Sequence, residues 1–215
     1  MTIRVVIADD QEMVRTGLTH MINADPALQV VGAAEDGRIA LAMIADLKPD
    51  VCVLDIRMPS MTGLEVTQRL ASDPNAPKIV IVTTYDREEY LLEALQAGAS
   101  GFVVKDAPAA VLTGAIHAAA NGDALISPSL THRLIDTYVD AHPISRDESS
   151  ALTPREAEVL AAVCAGATND EIADQLHMAL STVKGHISSM MHKTAATNRV
   201  KLVIWAYRNT EIRPS

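Results

Sequence analysis

Short apolar runs alternate with amphipathic stretches through the first 122 residues. Ile3–Ala8, Val30–Ala34, Val51–Leu54, Lys78–Thr83 and Gly101–Lys105 are continuous enough in apolar character to read as strands covered on both faces. Between and after them, five stretches carry apolar residues at helical spacing: Glu12–Met21, Ile39–Leu47, a segment after Gly63 marked by Leu64, Val66 and Leu70, Glu88–Ala97, and Pro108–Asn121. Gly98 stops the fourth helix. Pro108 suits the first turn of the fifth, and Gly122 its end. Five alternations of strand and helix predict an α/β fold built on a parallel, doubly wound sheet.

The pattern changes after residue 122. Pro128–Val139 has apolar residues at Leu130, Leu134, Ile135 and Tyr138, which predicts a linker helix. His142–Ser150 is polar and reads as an exposed boundary. Thr153-Pro154-Arg155-Glu156 is then a capping box with proline at the first helical position, opening a helix through Val159, Leu160 and Val163 that stops at Gly166. Thr168–Glu171 is a second capping box, opening a short helix with Ile172, Ala173 and Leu176. A brief turn, His177–Leu180, leads to Ser181 as the next cap. Thr182 to about Lys193 follows, with Val183, Ile187 and Met190/Met191 on one face, and Arg199–Arg208 makes a fourth helix. Two short helices on either side of a tight turn suit a helix-turn-helix, although three-helix packing units that touch no DNA share the pattern. The predicted domains are therefore 1–122, a linker over 123–150, and an all-α unit over 151–215.

Composition narrows the class. At 215 residues and 48% hydrophobic, the chain suits one large or two small globular domains. No apolar run approaches a bilayer span and no signal-peptide pattern opens the chain, so no membrane association is expected. Cys52 and Cys164 fall in predicted core positions, which fits a reducing cytoplasm. The net charge of −9 is uneven: residues 1–130 hold 9 basic and 17 acidic residues, whereas residues 151–215 hold 7 and 6. The acidic character belongs to the front of the chain.

The strand ends carry the chemistry. In an open parallel sheet, ligands sit at the carboxyl ends of the strands. The first strand ends in Asp9 and Asp10, the third in Asp55, the fourth in Thr83 and the fifth in Lys105. Three converging carboxylates repel one another, so a hard divalent cation with oxygen ligands suits them. Mg2+ keeps open positions for phosphate oxygens, and an ammonium and a hydroxyl beside it are further partners for a phosphoryl group. Each residue has a plain reading alone, with Asp10 as a cap, Thr83 as a strand residue and Lys105 as a solvated end. Together they point to one site.

In the order Asp9-Asp10, Asp55-x-x-Met58-Pro59, Gly63, Thr83, and Phe102 three residues before Lys105, residues 1–122 resemble a response-regulator receiver domain of flavodoxin-like fold. The resemblance implies that Asp55 accepts a phosphoryl group from a cognate sensor histidine kinase. It implies that Asp9, Asp10, Asp55 and the backbone carbonyl of Arg57 hold Mg2+, that Lys105 pairs with the phosphoryl oxygens, and that Thr83 and Phe102 form the side-chain switch. Phosphorylation adds roughly −1.5 to −2 charge at one rim, enough to bias two packings a few kcal/mol apart.

Leu152-Thr-Pro-Arg-Glu156, Gly166, Asn169-x-Glu171-Ile-Ala173, Ser181-Thr-Val-Lys184 with His186, and Asn198-Arg199 make residues 151–211 resemble the LuxR-type output domain of the NarL/FixJ family. This implies double-stranded DNA as partner, with helix Thr182–Lys193 in the major groove. Lys184 is then the leading contact, Thr182, His186, Ser188, Lys193, Thr153 and Arg199 are supporting DNA contacts, and RNA polymerase is a candidate further partner. Two departures stand out. Gly185 and Ser188 occupy positions where family members often place a DNA-touching side chain, and Lys193-Thr-Ala-Ala-Thr197 is less apolar than the usual segment before Asn-Arg. With a domain charge near +1, each module is expected to bind weakly, so a phosphorylation-driven homodimer supplies affinity.

These features predict a phosphorylation-activated transcriptional regulator and not an enzyme. The rival enzyme class, an aspartate-dependent phosphatase, needs a second carboxylate two residues after Asp55, where Arg57 stands. A second rival, an interaction module sensing something other than phosphate, is disfavoured by the complete acidic set.

Overall fold

The computed structural model describes residues 2–71, 73, 75–84, 90, 93–94, 97–123, 152–196 and 198–210. The chain divides into two compact units, Met1–Leu125 and Ile126–Ser215. The predicted linker helix lies outside the described residues, as does most of the predicted helix Glu88–Ala97.

The first unit contains β1 (Ile3–Ala8), α1 (Glu12–Asn23), β2 (Leu28–Ala34), α2 (Gly37–Leu47), β3 (Val51–Asp55), α3 (Gly63–Leu70), β4 (Lys78–Thr83), β5 (Gly101–Val104) and α4 (Ala109–Asn121). The strands form one parallel sheet in the order β2-β1-β3-β4-β5. This is the doubly wound order in which chain direction across the sheet reverses next to β1 and β3, where such folds place their ligands. Strand periodicity divides the core. Val5, Ile7, Val51, Val53, Val80, Val82 and Val103 cluster with Leu18 and Ile22 of α1 and with Leu112, Ala115, Ile116 and Ala119 of α4. Burying each of the Val, Leu and Ile side chains stabilises the fold by roughly 1.5–3 kcal/mol before entropy is counted.

Local chemistry sets most boundaries. Asp36 caps α2 by accepting from the N–H groups of Arg38 and Ile39, and Thr62 and Glu65 form a capping box on α3. Pro108 is the N-cap of α4, just outside the first turn where it was expected, and Gly122 ends that helix in the left-handed region at φ 83°. Gly63 is demanded by packing: a Cβ there would lie 2.1 Å from the carbonyl oxygen of Asp55. Its N–H donates to the carbonyl of Ile56, so the start of α3 is drawn against the end of β3.

The second unit contains α5 (Pro154–Cys164), α6 (Asn169–Gln175), α7 (Leu180–Lys193) and α8 (Arg199–Asn209). Both predicted capping boxes are present, on Thr153/Glu156 and Thr168/Glu171, with Pro154 in the first turn of α5. Ser181 is not the cap of α7. That helix begins two residues earlier, with Ala179 at the N-cap and no side-chain cap. The turn before it explains the shift. His177 adopts φ 52° and Met178 N–H returns to the carbonyl of Ala173, so the chain is already aimed along α7 by residue 179. Val159, Leu160 and Val163, Ile172 and Ala173, Val183, Ile187 and Met190, and Leu202, Val203 and Ala206 converge in one core. Among the described residues, no helix is long and apolar enough to cross a membrane.

Candidate functional site

The register brings the strand ends level. Ala8 pairs with Leu54, Asp55 with Val82, and Thr83 with Val104. Asp9, Asp55, Thr83 and Lys105 therefore emerge on one rim, with Asp10 beside Asp9. Asp9, Asp55 and Thr83 are buried, whereas Asp10 is exposed. One ligand oxygen from each of Asp9, Asp10 and Asp55 lies within 4.8 Å of the others. Lys105 reaches back from the end of β5, placing Nζ 2.5 Å from Asp9 Oδ2 and 3.1 Å from Asp55 Oδ2. Its backbone N–H donates to the carbonyl of Thr83, tying the last two strand ends together.

Backbone groups hold the carboxylates in place. Gln11 N–H donates to Asp9 Oδ1, and Ile56 N–H donates to Asp55 Oδ1. Arg15, which the sequence pattern did not single out, donates to the carbonyl of Asp9. Burial pushes the Asp55 carboxyl above the ordinary carboxylate range; Lys105 opposes the rise and Asp9 adds to it. Burial alone would lower the Lys105 ammonium, but Asp9 and Asp55 outweigh it and hold its pKa above the ordinary lysine value. Lys105 thus stays charged through the neutral range.

The donor set fits a hard cation. Asp9 Oδ2 is buried and accepts no well-aligned hydrogen bond, so its contact with Lys105 is one of charge. That carboxylate oxygen beside those of Asp10 and Asp55 makes an oxygen-only set of the kind Mg2+ takes. Phe102 is buried in register with Ile81, two positions before the Thr83–Val104 pair. Arg57, two residues beyond Asp55, is exposed. Its guanidinium donates to Tyr90 Oη and stands 5.7 Å from the centre of that ring.

The second unit presents a separate surface. On α7, Ser181, Thr182, Lys184, Gly185 and Ser188 are exposed, and His186 is half-buried. A Cβ at Gly185 would meet nothing within 4 Å, so the fold does not require glycine there. Thr153 is exposed at the cap of α5.

Two residues expected at the DNA make internal bonds in this structure. Arg199 is only 7% exposed; its guanidinium donates to Asn169 Oδ1 and to the carbonyl of Ala167, joining the start of α8 to the start of α6. Lys193 directs its ammonium onto both oxygens of Glu156, at 2.9 and 2.7 Å. Both cations answer internal acceptors, and a phosphate contact by either would give up those bonds. Glu156 itself was read only as a capping residue. Nothing in its local pattern reveals partners more than thirty residues away.

A cation-ready acidic rim on a 2-1-3-4-5 sheet, followed by a helix-turn-helix unit, defines a receiver joined to a DNA-binding output module. The family model for the response regulator receiver domain matches residues 5–117, and that for bacterial regulatory proteins of the luxR family matches residues 150–206. The chain belongs to the two-component response regulators with a luxR-type DNA-binding domain, a family of transcriptional regulators. It is 39% identical over 209 residues to the transcriptional regulatory protein YxjL of Bacillus subtilis (strain 168), covering 96% of each chain. It is 33% identical over 204 residues to the nitrate/nitrite response regulator NarL of Escherichia coli (strain K12), covering 95% of this chain and 94% of that one. Among solved structures, the response regulator ChrA of a heme-sensing two-component system is similar at 33% identity and a TM-score of 0.54, covering 95% of this chain and 96% of that one.

Proposed function

We propose that Asp55 is the phosphoacceptor of a phosphorylation switch that drives dimerisation and operator binding. The observation that carries this reading is the rim itself, with Asp55 buried beside Asp9, Asp10 and the ammonium of Lys105. A phosphohistidine on a cognate sensor histidine kinase is the donor. A carboxylate oxygen of Asp55 forms the new P–O bond while the P–N bond breaks, and the electron pair leaves on the imidazole nitrogen. Mg2+, held by Asp9, Asp10, Asp55 and the Arg57 carbonyl, would supply charge neutralisation of the phosphoryl oxygens. Lys105 turns from the carboxylates to a phosphoryl oxygen. Thr83 donates its hydroxyl to another, and Phe102 fills the space Thr83 vacates.

The dimer forms through α1 and α4. Met13 and Met21 on α1 and Val111 on α4 are large apolar side chains left exposed, at 87%, 43% and 40%. On DNA, α7 enters the major groove with Lys184 as the leading contact, supported by Thr182, His186, Ser188 and Thr153. Two output modules then occupy half-sites about one helical turn apart. Residues 1–122 form the receiver, 123–150 the linker and 151–215 the output domain of a cytoplasmic protein. RNA polymerase is its further partner at promoters, and the rim serves as an acceptor, not as a turnover catalyst. The test is incubation with acetyl phosphate and Mg2+ followed by peptide mass analysis. One phosphoryl group on the peptide containing Asp55, absent from Asp55→Asn, supports the reading; a phosphoryl group elsewhere overturns it.

A further inference from the structure

Glu156 is 3% exposed, and its carboxylate gathers partners from two helices. Oε2 accepts the backbone N–H of Thr153 at 2.7 Å and Lys193 Nζ at 2.7 Å; Oε1 accepts the Ser189 hydroxyl at 2.8 Å and Lys193 Nζ at 2.9 Å. Ser189 and Lys193 are four residues apart on α7 and share one face of it. Glu171 holds the same box position on α6, but it is exposed and its carboxylate meets Thr168 of its own helix end. A capping box does not by itself need the α7 contacts. At Glu156 the box carboxylate has a second duty.

We infer that Glu156 is a positioning residue for the DNA-contacting helix, and that Lys193 belongs to this anchor and not to the phosphate contacts. The inference rests on α7 being the groove helix. Three hydrogen bonds from the third and fourth turns of α7 to one buried carboxylate fix the rotation of that helix about its axis against α5. Rotation decides which residues face outward: between Ser181 and Ser188 the outward set is Ser181, Thr182, Lys184, Gly185 and Ser188, and Lys193 is exposed beyond them while its ammonium turns back to Glu156. Lys193 cannot leave for a phosphate without leaving Glu156 a buried, uncompensated charge. The most basic end of α7 therefore serves alignment, and Lys184 carries the charge toward the duplex.

The experiment uses the full chain and a duplex enriched from a randomised pool by the wild type, with a scrambled duplex beside it. Affinities are measured across about 50–300 mM KCl, where each phosphate contact contributes about 0.9 to the log–log salt slope. Lys193→Met is expected to leave the slope unchanged. Glu156→Gln frees the ammonium, so the slope steepens by about 0.9 while preference for the enriched over the scrambled duplex falls at least about fivefold. A purely structural Glu156 would weaken both duplexes in proportion and leave the slope alone. Should the variants fail to fold, lysine acylation of the wild type decides. Lys184 is expected to gain protection on adding the enriched duplex, and Lys193 to react slowly with or without it. A slope that falls by about 0.9 in Lys193→Met, or DNA-dependent protection of Lys193, overturns the inference. Failure of the wild type to enrich any duplex overturns instead the DNA reading beneath it.

Discussion

Lys105 Nζ stands 3.1 Å from Asp55 Oδ2 while also touching Asp9, so one ammonium compensates two buried carboxylates. That geometry lets Lys105 balance charge that a bound cation would also balance. Replacing it by methionine is expected to destabilise the receiver by about 3 kcal/mol in the absence of divalent cations, the scale for breaking a buried pair. Millimolar Mg2+ should raise the melting temperature of Lys105→Met more than that of the wild type. Equal responses in the two proteins would mean that Lys105 and the cation do not share these carboxylates.

Gly63 joins the acidic rim to the core. A Cβ at this position would meet the backbone oxygen of Asp55 at 2.1 Å, and backbone does not yield as a flexible side chain does. Gly63→Ala is expected to destabilise by about 3 kcal/mol or more and to lower the phosphorylation rate by displacing the end of β3. Urea unfolding followed by far-UV circular dichroism reads the first effect, and acetyl phosphate labelling the second. A stable variant that labels normally would show that α3 can move without carrying Asp55.

Arg199 and Lys193, with their internal bonds, contrast with Lys184. Lys184 is exposed, so Lys184→Ala should leave stability within about 0.5 kcal/mol and weaken DNA binding, with a shallower salt slope. Arg199→Ala removes a buried donor to Asn169 Oδ1 and the Ala167 carbonyl and should cost about 2–3 kcal/mol through the lost charged hydrogen bonds. Binding by the folded fraction of Arg199→Ala should keep the wild-type salt slope. Urea unfolding and salt titration together separate the two cases.

Much of this was legible in the chain. The strands Ile3–Ala8 and Lys78–Thr83 fall where the apolar runs place them, because a strand covered on both faces tolerates few polar residues. The meeting of Asp9, Asp55 and Lys105 could be read as well, since parallel topology sends every strand end to one rim. What could not be read is where a charge goes once the helices pack. Arg199 and Lys193 look like solvent-facing cations at the ends of amphipathic segments. Their acceptors, Asn169 and Glu156, lie 30 and 37 residues away in sequence. The start of α7 was missed for a related reason, because Ser181 is a better capping residue than Ala179 and the preceding turn overrides that preference.

Glu156 also sets a pH dependence. Its burial acts to raise its pKa, yet bonds from Lys193, Thr153 and Ser189 outweigh that and lower it from 4.5 to about 2. A depressed carboxylate contributes stability above its unfolded pKa and loses it as the folded state protonates. The second unit should therefore weaken as pH falls from about 5 toward 2, and Glu156→Gln should flatten that part of the curve. Trp205, the single tryptophan of the chain, packs against this core and reports its unfolding by fluorescence. Parallel pH profiles for wild type and variant would assign the acid sensitivity to another group.

Light scattering on the wild type and Asp55→Asn, with Mg2+ and beryllofluoride added or omitted, tests the switch most directly. Wild type should be a monomer that becomes a dimer only with the phosphoryl mimic, and Asp55→Asn should remain a monomer throughout. A wild type that ignores the mimic, or an Asp55→Asn that dimerises with it, would contradict phosphorylation at Asp55 as the event that assembles this regulator.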